Sequence, residues 1–215
     1  MNDVIGDEDA LKSIDRLHLP DPRNKHFSIE YWHGCIAEIK ISDRVPVSVR
    51  QIFENAKNIA LYSYYSYRLH QAAEIIGYMA LESSLKEKYE LVGTRFRHRR
   101  PKSFKDYIKI ALVEGWVSDE RMVSFRAVAE SAVRERLTRD MIHSGLVGKE
   151  PVPSPTPSEE EILAELRAMR VAEKALHGKR RIRNMYLHEG TGLSDTSVEV
   201  LTDLAELINQ IFEEN

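Results

Sequence analysis

From Ile162 onward the apolar residues of this chain fall on one stripe. Ile162, Leu166, Met169, Ala172 and Leu176 recur at steps of three and four, the spacing that puts side chains on one face of an α-helix. Val198, Leu201, Leu204, Ala205, Ile208 and Phe212 repeat the pattern over about Ser197 to Phe212. An amphipathic helix cannot bury its stripe alone, so each such segment demands partners of its own kind. Upstream, Val47 to Tyr64 reads as a helix. Arg68 to Tyr89 reads as another, through Leu69, Ala72, Ala73, Ile76 and Ala80. Residues 103–115 begin at a Ser cap and stop at Gly115, and residues 118–137 begin Ser-Asp-Glu-Arg, with acids in the first turn. Ser158-Glu-Glu-Glu161 opens the helix that carries the first stripe. The sum is about six helices, and the expected fold is all-α, an antiparallel bundle of four to six helices.

Two regions stand apart from this pattern. Residues 1–45 form an N-terminal extension, and within it Phe27, Ile29 and Tyr31 alternate with Ser28, Glu30 and Trp32. That alternation predicts a short β-hairpin over residues 27–42, turning near Gly34. Residues 46–215 form the helical bundle. Inside it, residues 148–158 hold Pro151, Pro153, Pro155 and Pro157, half of the chain's eight prolines. No helix survives that spacing, so the stretch is an extended connector.

The bulk properties narrow the function classes. A chain of 215 residues is long enough for one domain with a sizeable core. Its net charge of −3 excludes a uniformly basic coat, so any nucleic-acid contact must come from local patches. Cys35 is the only cysteine, which excludes an intramolecular disulfide and a cysteine-based zinc site. His26, His33 and Cys35 match no zinc-finger spacing. The acidic start MNDVIGDEDA lacks the apolar run of a signal peptide, and no segment approaches the ~20 apolar residues of a membrane helix. The expectation is a cytoplasmic protein away from the membrane. There is no P-loop, nucleophile elbow or dinucleotide fingerprint, and Gly145-Leu-Val-Gly-Lys149 is too short for a phosphate loop. No cofactor and no metal are expected.

The stretch that bears on chemistry is R-R-I-R-N-M-Y-L-H-E-G, Arg180 to Gly190. Seven residues beyond Leu176, Arg183 falls on the inward side of the extended stripe, if Gly178 does not bend the helix. Asn184 and His188 are four apart and share a face. Arg183 and His188 are five apart and splay by roughly 140° on an ideal helix, so they meet on one ligand only near a helix end or across paired helices. Gly190 supplies a helix end, where the negative pole of the helix dipole favours protonated His188.

Arg183-Asn184-Met185-Tyr186-Leu187-His188 resembles the R-x4-6-H motif of the HEPN superfamily (higher eukaryotes and prokaryotes nucleotide-binding domain), including the polar residue after the arginine. The motif sits near the end of the penultimate helix, as in that family. Phe53 to Glu74 and Ala80 to Tyr89 look like the opening helices of its bacterial members, so the resemblance spans about residues 46–213.

The resemblance implies a helical bundle that dimerises through its motif-bearing helices. It also implies metal-independent endoribonuclease activity in toxin–antitoxin or antiviral settings, with an antitoxin or regulatory partner. The implied reaction is attack of a ribose 2′-OH on the adjacent phosphate. In it His188 transfers the proton, Arg183 stabilises the phosphorane charge and Asn184 orients the group. Lys179, Arg180 and Arg181, adjoining the motif, become the RNA contacts; the basic run Arg95 to Lys102 is a second, weaker candidate. The competing reading is a silent member of the family that dimerises or binds RNA or a nucleotide. In it Arg183 pairs with a buried acid such as Glu74, and His188 merely caps a helix. Tyr62, Tyr64, Tyr65 and Tyr67 are read as packing residues.

Overall fold

A computed structural model describes residues 9–92, 101–144, 154–189 and 194–213, with the side chains of 187–189 outside the description. Its α-helices are α1 (Ile29–Ala37), α2 (Val47–Tyr62), α3 (Leu69–Val92), α4 (Phe104–Val113), α5 (Val123–His143), α6 (Glu159–Met169), α7 (Val171–Glu189) and α8 (Ser197–Phe212). Among the described residues there is no strand.

The central element is α3. It packs against α2, α4, α7 and α8, while α5 pairs with α6 and α1 lies on α2. Ala73, Tyr78, Leu81 and Leu85 of α3 and Leu201, Leu204, Leu207, Ile208 and Ile211 of α8 are fully buried. Close approach of α3 to α8 depends on Gly77, since a Cβ there would stand 2.7 Å from Leu201 Cδ2 and 2.8 Å from Leu204 Cδ1. By contrast α5 buries only Ala129 and Val133. Its outer turns are laced by charge, with Arg136 Nη1 on Glu165 Oε2 of α6 at 2.7 Å and Arg126 on Glu159.

Local chemistry fixes most helix ends. The Ser103 side chain and Asp106 form a capping box at the start of α4, as do Ser158 and Glu161 at the start of α6. Gly115 ends α4 at φ 66°. Trp116 N then donates to Ala111 O at 2.9 Å and closes the turn, a left-handed cap that a glycine adopts without steric cost.

The structure departs from the sequence reading at three elements. The stretch expected as a hairpin is helix α1. Ser28 Oγ caps it by accepting from Tyr31 N at 3.2 Å. The buried residues there are Trp32, Ile36 and Ile39, a helical spacing, whereas Tyr31 of the apparent alternation is exposed. Trp32 Nε1 donates to Ala60 O of α2 at 2.8 Å, so α1 is tied into the bundle.

Second, the segment from Ser158 to Glu189 is two helices. The break lies at Arg170, in the left-handed region at φ 53° and ψ 50°, and not at Gly178. Asp119 Oδ1 accepts from Ala172 N at 2.8 Å and caps the new helix from a distant 3-10 turn, Asp119–Arg121. Third, that turn replaces the expected helix start at residue 118, and α5 begins at Val123. The added α1 and the split at Arg170 raise the expected six helices to eight among the described residues. Of the proline-rich connector, residues 154–158 are non-helical and 148–153 lie outside the described residues.

Candidate functional site

Helix α7 presents two different polar flanks. One faces α3, and its groups are paired. Arg183 Nη2 donates to Glu82 Oε2 at 2.7 Å, and Arg183 Nη1 to Asn184 Oδ1 at 3.2 Å. The other oxygen of Glu82, Oε1, holds Lys86 Nζ at 2.7 Å, so this carboxylate serves two cations. The Arg183 and Glu82 side chains retain 26% and 15% of their exposure, which leaves the pair shielded but open at one edge.

One turn along α7, Tyr186 reaches Glu74. Its hydroxyl donates to Glu74 Oε2 at 2.7 Å, while Ser194 Oγ and Thr196 Oγ1 donate to Oε1 at 2.8 and 3.1 Å. Glu74 is buried. Three hydroxyl donors replace the water that such a carboxylate loses on burial. They also pin the chain on both sides of residues 187–193. The Tyr186 phenol is pushed up to about 12, first by burial and then by its bond to the Glu74 carboxylate. The neighbouring Tyr78 phenol is raised as well, by burial and then by the charge of Glu74, and its hydroxyl has no hydrogen-bond partner among the described residues.

The acid that pairs with Arg183 is Glu82, two turns of α3 beyond the Glu74 that the competing reading offered as an example. The arginine does project toward the bundle, as the stripe implied, though a helix break intervenes. His188 lies in the last turn of α7; its side chain lies outside the described residues, as do Gly190 and Arg95 to Arg100 of the basic run. Lys102 is exposed at the foot of α4.

The three basic residues before the motif separate. Lys179 turns inward, and its Nζ binds Asp203 Oδ2 of α8 at 2.7 Å. Arg180 and Arg181 make no ion pair among the described residues. They line a shallow groove on the outer flank with Lys174, His177, Gly178 and Asn184. Arg180 Nε is buried without a hydrogen-bond partner. The arginines of α5, of α6 and of the break after it differ: Arg126, Arg134, Arg136, Arg139, Arg167 and Arg170 are all ion-paired. The positions 174, 177, 181, 184 and 188 advance by three and four, so the backbone places them on one stripe of α7.

Sequence reasoning missed Glu82, Lys86, Lys174 and His177. Glu82 and Lys86 carry an i,i+4 signal on α3, and Lys174 and His177 share the stripe of His188, so spacing alone could have found both pairs. The tyrosines 62–67 fall mostly in the turn between α2 and α3. Tyr67 stacks under the Arg23 guanidinium at 4.5 Å, and Tyr62 is exposed. No group of three or more metal-ligating side chains is found among the described residues, and no described helix is long and apolar enough to cross a membrane. Searched against family models, curated proteins and solved structures, the chain gives no match.

Proposed function

We propose that this chain is a HEPN-like, RNA-directed protein that cleaves RNA by attack of a ribose 2′-OH on the adjacent phosphate, without a metal ion. Arg183 supplies the cation for the developing phosphorane, Asn184 aligns it, and His188 in the last turn of α7 transfers the proton. Two copies meeting along α7 overcome the five-residue offset between Arg183 and His188. A cytoplasmic defence or toxin–antitoxin setting, with an antitoxin as regulator, is the context that goes with this reading. The observation that carries it is the cation placement on α7: Arg183 bonded to Asn184, and Arg180 and Arg181 beside it with no ion pair among the described residues. Such a helix gathers phosphate contacts on a chain whose net charge is −3.

The test is cleavage of varied single-stranded RNAs in EDTA by wild type and by His188→Ala. Cleavage by wild type alone supports the reading; equal cleavage by both, or none by wild type, removes it.

The ion pair of Arg183 with Glu82 favours a second reading, a binding or dimerisation module without catalysis. A carboxylate at 2.7 Å offsets the charge that a phosphorane needs. RNA binding that survives His188→Ala with no cleavage selects it. Glu82→Gln separates the two further: freeing Arg183 raises cleavage under the first reading and changes only RNA affinity under the second.

A further inference from the structure

The chain ahead of α1 is fixed to the bundle at two feet. At the first, the Asp9 carboxylate takes Arg23 Nη2 and Arg68 Nη2, each at 2.8 Å. At the second, buried Asp21 accepts from Arg23 Nε at 2.8 Å and from Tyr67 N at 3.1 Å, and Asn24 Nδ2 donates to Ser63 O at 2.8 Å. Both feet stand on the turn between α2 and α3. Residues 10–20 span them as an arch, tied across by Lys12 Nζ, which donates to Leu19 O at 2.9 Å.

No residue of the arch is buried. Yet it carries Leu11, Ile14, Leu17 and Leu19, at 99%, 88%, 56% and 43% exposure. A leucine stabilises a fold through burial, so these four contribute little to this one. Single exposed apolar residues are ordinary, but a set of them held out on a fixed arch marks a contact surface. Leu11 and Leu17 line a groove of about 570 Å³ together with Tyr62, Tyr65 and Leu69 from the ends of α2 and α3. A second concavity, toward the Asp21 foot, is lined by Lys12, Arg16 and Lys25 beside Leu19. These three cations make no ion pair among the described residues, since Asp9 and Asp21 are taken by Arg23 and Arg68. Asp15 is the one other acid on the arch.

We infer that this surface docks an acidic segment of another protein, with large apolar side chains in the groove and carboxylates on Lys12, Arg16 and Lys25. Charge complementarity selects that occupant. A symmetric pair of this chain joined here brings two copies of the cation set into one interface. A bilayer has no side chain to enter a concave groove, whereas a peptide has, and the groove falls within the ~300–1,000 Å³ of pockets that enclose organic groups. None of the lining residues belongs to α7, so this inference goes beyond the RNA-directed reading and does not rest on it.

Selection from a random-peptide phage library on the immobilised full chain tests it. The enriched peptides are expected to combine Asp or Glu with Leu, Ile, Phe or Trp. Resynthesised and titrated by calorimetry, they should bind at least about tenfold more weakly to Leu11→Ser and to Arg16→Glu. Val113→Ser, at a bare apolar position on α4, should leave their affinity unchanged. All three variants alter exposed side chains and should keep the wild-type thermal transition. No enrichment, enriched peptides without acids, or affinities unmoved by Leu11→Ser overturn the inference. Three further outcomes also overturn it by naming another occupant. Dimerisation that Leu11→Ser abolishes, read by sedimentation, assigns the surface to a second copy. Flotation with phosphatidylserine vesicles and no enriched peptide assigns it to lipid. Peptide binding that appears only after residues 1–8 are deleted assigns it to the chain's own start.

Discussion

Two polar stripes run through this molecule, one on α3 and one on the outer flank of α7, and they behave oppositely. Along α3, His70, Glu74 and Glu82 are each answered from within the chain. His70 Nδ1 lies 2.7 Å from Ser197 Oγ, Glu74 takes three hydroxyls, and Glu82 takes Arg183 and Lys86. Along α7, Lys174, His177 and Arg181 meet no counter-ion among the described residues. A buried polar group left unanswered costs stability, so the first stripe must be complete for the fold to exist. A solvated cation costs nothing when unpaired, so the second stripe is free to serve a ligand.

The contrast breaks most readily at Glu74. Glu74→Ala removes the acceptor of two half-buried hydroxyls, Tyr186 and Ser194, and of the exposed Thr196, and is expected to cost about 3 kcal/mol, read as a lower urea midpoint at unchanged slope. A loss under ~1 kcal/mol means that water replaces the carboxylate and that the α3 stripe is not structurally required.

The two helical glycines give the next largest difference. Gly77→Ala drives a Cβ into Leu201 and Leu204 and is expected to cost about 2 kcal/mol. Gly178→Ala, on the open stripe, gains roughly 1 kcal/mol of helix propensity. Paired thermal melts check both, and equal shifts of one sign contradict the contrast.

His70 makes the first stripe sensitive to pH. Burial holds its folded-state pKa down at about 4, against an ordinary value of 6.5. The folded chain keeps it neutral while the unfolded chain protonates it, so its contribution is whole above pH 6.5 and is lost as pH falls toward 4. Stability is expected to drop by about 2 kcal/mol between pH 8 and pH 5. His70→Asn should flatten that part of the profile; an identical profile in the variant assigns the loss to other groups.

The smallest effect separates Lys179 from Arg181. With single-stranded RNA, Arg181→Ala should shallow the plot of log affinity against log salt by about 0.7, the value of one phosphate contact. Lys179→Ala, already neutralised by Asp203, should leave the slope unchanged. The reverse order of effects would place the RNA on the inner flank of α7.

Much of the fold was legible because its signals are local. The capping boxes at Ser103 and Ser158 act over three residues, and the stop at Gly115 needs one left-handed residue. Helix α8 occupies the residues that its apolar period marks. The first helix was misread because a run of six residues can alternate by chance, while the buried set of that stretch, Trp32, Ile36 and, just past the helix, Ile39, spreads over two turns. At the candidate site, the inward direction of Arg183 was legible and its partner was not.

What the sequence determined by itself is that residues 47–212 are mostly helical, which faces of those helices are apolar, and that basic residues crowd around one motif. Only the tertiary structure decided the rest: the break at Arg170, the choice of Glu82 over Glu74, and the loss of Lys179 to Asp203. The physical reason is axial register. Caps and periodicity are written within one turn of chain, whereas the partner of a side chain across two packed helices changes with each 1.5 Å of sliding per residue. That sliding is set by ridges and grooves such as Gly77 against α8, which one helix alone does not specify.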